Sequence, residues 1–251
     1  AANLRLLTGE YLQLAIAQGD LAQDAYDQTG IFADEEETRG FGAVAALYTE
    51  ACQIVVRADA DIQSVEDLQG KTVSIGAEES GSEQNALQIL AAYGLNDKLV
   101  DTVNLNYEDA AAQLKAGKVD AIFITAGAPS PVLTELAGEC GIRLLNVDGA
   151  AAQRLTSAYS AYSAVTLPAG TYPGQDTDVQ TVGVKAVLLA SDELPAKQVQ
   201  KLTELLFSGR EGMEEQLGIP LDAEQDAVEG VGIQFHAGAA AYYKAAGITV
   251  D

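Results

Sequence analysis

The residues with chemistry to offer lie where apolar runs end. In VSIGAEESGSEQNALQIL (residues 73–90) a buried-type strand gives way to Ser80-Gly81-Ser82-Glu83 and then to an amphipathic helix. A helix N-terminus carries unpaired N–H groups and the positive end of the backbone dipole. Together these hold a carboxylate or phosphate without a basic side chain. Gly81 lets the backbone approach a ligand closely, Ser82 can cap the helix, and Ser80 can add a hydroxyl. ITAGAPSP (residues 124–131) likewise ends a strand in small residues, Thr125, Ala126 and Gly127, and enters a helix. AQGD (residues 17–20) does the same with Gln18 and Asp20. Ligands of α/β proteins bind beyond the carboxyl ends of strands, so these three loops are expected to line one cleft.

Catalytic constellations are thin. The single histidine, His236, precedes an apparent helix, where a capping or turn role is expected. There is no G-x-S-x-G elbow, no phosphate loop with lysine and no G-x-G-x-x-G. Cys52 and Cys140 lack metal-type spacing; they read as buried free thiols, with a disulfide as the alternative in an oxidising compartment. No catalytic residue, metal or cofactor is expected.

The loops must be positioned by strands and helices, and the pattern alternates between the two. Strands are expected at residues 12–17, 52–57, 71–76, 101–106, 119–127, 142–147 and 179–191. Helices are expected from Asp20, from Ser82 to about Tyr93, over 107–117, from Ser130 with Pro131 in the first turn, over 196–207, around 222–229 and from His236. SVEDLQG carries Ser64 and Asp67 in a capping-box spacing. Residues 160–178 read as irregular. Such alternation gives an α/β protein with a mainly parallel sheet. The strands at 52–57 and 179–191 bracket a self-contained block. That predicts two lobes, residues 1–57 with 181–251 and residues 58–180, with the ligand in the cleft between them.

Composition bounds the partners. The chain has 251 residues, 48% of them apolar, and a formal net charge of −23. That charge repels nucleic acid, and there is no basic stripe to overcome it. No run of about 18 apolar residues occurs, so no spanning helix is expected. The N-terminal AANLRLLTGE has no basic region followed by an apolar core. The acidity suits a saline habitat, where ions screen the self-repulsion. The melting midpoint is therefore expected to rise between low and molar sodium chloride; a flat or falling midpoint would mark ordinary solubilising charge.

Five stretches, in order, carry a resemblance: LAIAQGDLAQDAYDQTGIF, AALYTEACQIVVRADADIQSVEDLQGKTVSIGAEESGSEQNALQILAAYGL, VDAIFITAGAPSPVLTELA, PAGTYPGQDTDVQTVGVKAVLL and GVGIQFHAGAAAYYKAAGI. TYPGQD together with ITAGAP is the most specific pairing. The chain resembles the substrate-binding proteins of TRAP transporters, of the TAXI subfamily. The resemblance implies a two-lobed type II periplasmic-binding-protein fold. It implies periplasmic or extracytoplasmic capture, by a monomer, of a small carboxylate or amino acid such as glutamate, glutamine or 2-oxoglutarate. The cargo would pass to TRAP membrane permease subunits driven by an ion gradient. Competing readings are an enzyme on the same scaffold and the effector domain of a bacterial regulator. Two departures stand out. The family begins with about fifty further residues, the size of a βαβ unit, so lobe one is expected to be incomplete here. And where the family's loop is neutral, this one places Glu78 and Glu79, which are expected to face solvent.

Overall fold

The computed structural model describes residues 1–36, 38–96 and 98–250. The chain divides into two compact units, Ala1–Thr49 with Val184–Asp251, and Glu50–Gly183. The chain passes from one unit to the other inside two long strands, β2 (Phe41–Arg57) and β8 (Val179–Ser191).

In the first unit β1 (Leu14–Gln18) pairs antiparallel with β8, Ile16 opposite Leu188. β1 leads directly into α2 (Gly19–Asp27), with Gln18 as its N-cap residue and Asp20 in its first turn. α1 (Ala2–Thr8) buries Leu4 and Leu7 in the same core as Leu21, Phe32, Phe41 and Leu189. α7 (Ala196–Ser208), α8 (Arg210–Leu217) and α9 (Ala237–Ala245) complete the unit. Val44, Val199, Ala239 and Tyr243 form a further cluster there. Tyr243 donates its hydroxyl to the carbonyl of Val44 at 3.0 Å, so its polar end is satisfied inside an apolar core.

In the second unit β5 (Ala121–Ala126) lies between β2, antiparallel to it, and β3 (Thr72–Ser74), parallel to it. β4 (Asp101–Val103) continues parallel on β3. β6 (Ile142–Leu145) pairs antiparallel with β2, and β7 (Ser163–Leu167) with β8. α3 (Gly81–Ala92), α4 (Tyr107–Lys115), α5 (Pro131–Cys140) and α6 (Gly149–Ala158) pack around these strands. β5 reads AIFITA, with Ala121 to Thr125 all buried, as a central strand covered on both faces should be. Leu114, Ile122, Leu133, Leu136 and Tyr172 share the principal core of this unit.

The expectation of a mainly parallel sheet is corrected: most of the described pairings are antiparallel, and β3 is the strand with parallel neighbours. The cause is β2 and β8, which run against the strands they accept. β2 also begins at Phe41, far earlier than the expected residue 52, because Ala- and Gly-rich FGAVAALYTEA has weak strand propensity and is extended by its partners. Residues 160–178 are not wholly irregular, since they contain β7. The Ser64–Asp67 capping box forms as expected: Asp67 Oδ2 accepts the N–H of Ser64 at 2.9 Å. The N–H of Gln63, which Asp67 Oδ2 accepts at 2.8 Å, and that of Ser64 hold the Asp67 carboxyl below the usual aspartate range.

Candidate functional site

The site is built where β3 and β5 end in the second unit. After β3 the chain turns through Gly76, whose φ of +100° suits glycine alone. Glu78 and Glu79 are exposed, and Glu83 folds back to accept the N–H of Glu79 at 2.6 Å and the Asn104 amide at 2.7 Å. α3 then begins with Ser80 as its N-cap: Ser80 Oγ accepts the N–H of Glu83 at 3.1 Å. The expected roles of the two serines are thus exchanged. Ser80 caps the helix, while Ser82, one residue inside it, points away to β5.

Ser82 Oγ accepts the N–H of Thr125 at 3.1 Å and lies 2.6 Å from Tyr107 Oη. Tyr107 donates to the carbonyl of Thr125 at 2.8 Å. A carbonyl can only accept, so the phenol proton points to Thr125 and Ser82 donates to the phenol oxygen. Burial pushes the Tyr107 phenol above its ordinary pKa, which keeps that proton in place. Ser82 and Thr125 are both buried, at 3% and 4% exposure.

The next turn is held as firmly. Gln53, 1% exposed in β2, donates its amide to the carbonyl of Ala126 at 3.3 Å and accepts the Tyr172 hydroxyl at 2.5 Å. Tyr172 Oη in turn accepts the N–H of Ser130 at 2.8 Å. This is the physical content of the TYPGQD–ITAGAP pairing: Tyr172 from the first motif fixes Ser130, just beyond the second. Gly127 lies in the loop so clamped.

Two backbone donors remain unengaged at the head of α3. The N–H groups of Gly81 and Ser82, both buried residues, have no hydrogen-bond acceptor among the described residues. Ser80 Oγ uses a lone pair for the cap and keeps its proton to donate. The site therefore offers donors, a helix dipole and no basic side chain on the loops themselves, which suits an oxyanion. A cavity of the same unit, about 290 Å³ between α4 and α5, is lined by Glu108, Glu135 and Glu139 around Lys115. Lys115 is already paired with Glu139 at 2.8 Å, so that cavity suits an anion poorly.

Thr125, Ala126, Gly127, Ser80, Gly81 and Ser82 thus belong to one unit, and the structure joins Ser82 to Thr125 directly. Gln18 and Asp20 belong to the other unit. There Asp20 Oδ1 accepts the N–H of Leu21 at 2.9 Å, and Gln18 Oε1 is buried with no hydrogen-bond partner. His236 caps α9: its Nδ1 accepts the N–H of Gly238 at 3.1 Å. Cys52 and Cys140 are free thiols, Cys52 buried. Sequence reasoning missed Tyr107, Gln53 and Tyr172. Gln53 carried a local signal, a polar residue inside the apolar run CQIVVR, and Tyr172 lies in the TYPGQD motif, where no role was assigned to it; Tyr107 is brought in by tertiary folding.

Burial raises the Tyr172 phenol to about 12, against about 10 in an unfolded chain. Below pH ~10 the phenol is neutral in both states and its contribution to stability is complete. Between pH ~10 and ~12 the unfolded chain loses the proton first, and stability falls, by roughly 1.4 kcal/mol at pH 11 from this residue. Melting midpoints measured from pH 8 to 11 should decline less steeply in Tyr172→Phe than in the native protein; equal slopes would contradict the account.

Among solved structures, the periplasmic aliphatic sulphonate-binding protein SsuA of Escherichia coli is 19% identical and superposes with a TM-score of 0.50. The match covers 86% of this chain, which spans 65% of the length of that protein. An ancestral arginine-binding protein bound to arginine is 15% identical, with a TM-score of 0.51, over 85% of this chain and 73% of its own. At these identities the likeness establishes a shared fold, that of the periplasmic binding proteins. Residues 1–247 match the NMT1-like family.

Proposed function

The chain belongs to the NMT1-like family, and from that premise we propose that it is an extracytoplasmic solute-binding protein that captures a small oxyanion for a membrane transporter. The observation that carries this reading is the donor set at the head of α3, with two unpaired buried N–H groups and a free serine proton. In a water-poor site such fixed dipoles count for more than in bulk solvent. The names of both structural neighbours, one a sulphonate-binding and one an arginine-binding protein, are in keeping with a binding role. Within it we favour a carboxylate or amino acid such as glutamate, glutamine or 2-oxoglutarate, delivered by a TAXI-type protein to TRAP permease subunits. Ser80, Gly81, Ser82, Thr125, Ala126 and Gly127 are the proposed contacts on the second unit, and Gln18 and Asp20 those on the first. Turnover has less to support it, since the one histidine is engaged as a helix cap.

Native mass spectrometry of the freshly purified protein, followed by calorimetry with L-glutamate, L-glutamine, 2-oxoglutarate and ethanesulfonate, tests the reading. At least one of these four ligands should bind. Gly81→Val, which puts a branched side chain where the ligand meets the backbone, should weaken binding by about tenfold or more. Its melting midpoint should stay near native. No binding by any of the four, or an unchanged affinity in Gly81→Val, would overturn it.

A further inference from the structure

We propose that the groove between α4 and α5 is a docking surface for an arginine-bearing amphipathic helix of a partner protein. The groove lies within the second unit and uses none of the proposed ligand contacts, so it is independent of the reading above. Two separate observations meet there, one of shape and one of charge.

The shape comes from small residues. α4 and α5 share one core through Leu114, Leu133 and Leu136, with Ala111 and Val132 packed against it. Between the helices the opening of about 290 Å³ is lined on its apolar side by Ala111, Ala112, Val132 and Leu136. Leu136 is 2% exposed, so the groove reaches down to the core itself. The volume lies at the bottom of the range for small-ligand pockets, about 300–1,000 Å³. A trough between two helices of that size suits the side chains of a third helix laid along it.

The charge lies on the rim. Glu108, Glu135 and Glu139 line the opening, and Lys115, at the last residue of α4, is held by Glu139 at 2.8 Å. The Glu108 and Glu135 carboxylates are exposed and have no ion pair or hydrogen bond among the described residues. Helix stability does not account for this placement. Glu135 and Glu139 are four residues apart on α5, where like charges repel. Glu139 also sits in the last turn, at the negative end of the helix dipole. Four residues of helix separate the two carboxylates by about 6 Å along the axis. Arginines four apart on a docked helix have the same spacing. Their alkyl stems would cover Val132 and Leu136 while the guanidinium heads reach the carboxylates. Charge also excludes other occupants: an anionic lipid surface or a nucleic acid is repelled by the rim and by a chain of net charge −23.

The experiment uses two synthetic peptides of identical composition, built from alanine, leucine and arginine. One places its arginines four residues apart beside an apolar face; the other scrambles the order. Calorimetry at about 0.15 M sodium chloride, where exposed charges are largely screened beyond ~8 Å, gives the affinities, and amide resonances locate the contact. The patterned peptide should bind at least tenfold more tightly than the scrambled one, with shifts at Ala111, Ala112, Val132 and Leu136. Glu108→Gln with Glu135→Gln should weaken it at least fivefold. Glu211→Gln with Glu215→Gln makes the same change of charge on the exposed surface of α8 and should leave the affinity unchanged. Ala112→Leu, at an exposed position, fills the groove without altering charge and should also weaken binding at least fivefold. Equal affinities for the two peptides, equal losses in the two glutamine pairs, or native affinity in Ala112→Leu would each overturn the proposal. So would displacement of the patterned peptide by an equal concentration of spermidine, which would mark a plain polyamine site. Resonances of β3 and β5 that match native ones in every variant show that the fold is retained. None of these substitutions touches the proposed ligand contacts, so a failure here leaves the anion-binding reading in place.

Discussion

Gly76→Ala should lower stability by about 2–6 kcal/mol and weaken ligand binding with it. Two costs add. At φ +100° an L side chain is strained, by about 1–3 kcal/mol. A Cβ there would stand 2.7 Å from Ser82 Cβ, 3.0 Å from Ser80 Oγ and 3.1 Å from Glu83 N, so it pushes against the first turn of α3. Overpacking of this kind costs about 1–3 kcal/mol more. The chain cannot simply swing the turn outward, because the Gly76 carbonyl is held by the N–H of Leu105 and the Asn104 amide, both at 3.1 Å. In a chain of this size the loss corresponds to a fall in melting midpoint of roughly 4–24 °C. Gly117→Ala is the control: its φ is +67° and nothing lies within 4 Å of the added Cβ, so strain acts alone and about 1 kcal/mol is expected. Equal losses in the two variants would show that crowding against α3 contributes nothing. Affinity for an anion should fall in Gly76→Ala and hold in Gly117→Ala.

Gly238→Ala pits two effects against each other. Alanine is favoured over glycine in a helix by about 1 kcal/mol, and Gly238 lies in α9. Yet a Cβ at this position would stand 2.2 Å from the carbonyl oxygen of Ala196, 2.8 Å from the N–H nitrogen of Gln200 and 2.8 Å from Val199 Cβ. Two of these are backbone atoms of α7 and its neighbour Val199 is 1% exposed, so the obstruction is not a flexible side-chain tip. Either the helices part, opening the cluster of Val44, Val199, Ala239 and Tyr243, or the His236 cap is lost. Loss of packing across such an interface costs about 2–5 kcal/mol, and the clash wins over propensity. Gly212→Ala in α8, with nothing within 4 Å, keeps the propensity gain and should be neutral or slightly stabilising. Urea unfolding of the two variants side by side tests the account; a stable Gly238→Ala would mean that α7 and α9 slide apart at little cost.

These two glycines also mark where sequence reasoning stops. Gly81 was read as the residue that admits a ligand; Gly76 and Gly238 were not singled out, because their constraint comes from atoms of other elements. The same division runs through the fold. β8 was legible at its full length, Val179–Ser191, since VQTVGVKAVLLAS is a long run of strand-forming apolar residues. α5 was legible from Ser130-Pro131, α3 from its serines and Gly94, and the Ser64–Asp67 box from spacing alone. Each of these signals is local: a cap, a breaker or a period acts within four residues. α6 and α8 were not foreseen, because GAAAQRLTSA opens on a glycine and its N-cap residue Asp148 makes no side-chain cap hydrogen bond, and REGMEEQL has no buried residue.

What the sequence determined by itself is the supply of chemistry: an acidic chain with small residues at the ends of its strands, a helix starting within Ser80-Gly81-Ser82 and no basic side chain in the loop that leads into it. Tertiary structure decided which serine caps and which is pinned. Ser80 and Ser82 are two residues apart and locally equivalent as N-cap candidates; the difference is that Tyr107 and the Thr125 amide stand on the side that Ser82 faces. It likewise decided strand direction, since β5 pairs parallel with β3 and antiparallel with β2, a choice that no local pattern encodes. Hydrogen bonds between residues as far apart as Gln53 and Tyr172 form only once the intervening chain has folded. Their energies depend on burial that the residues themselves do not supply.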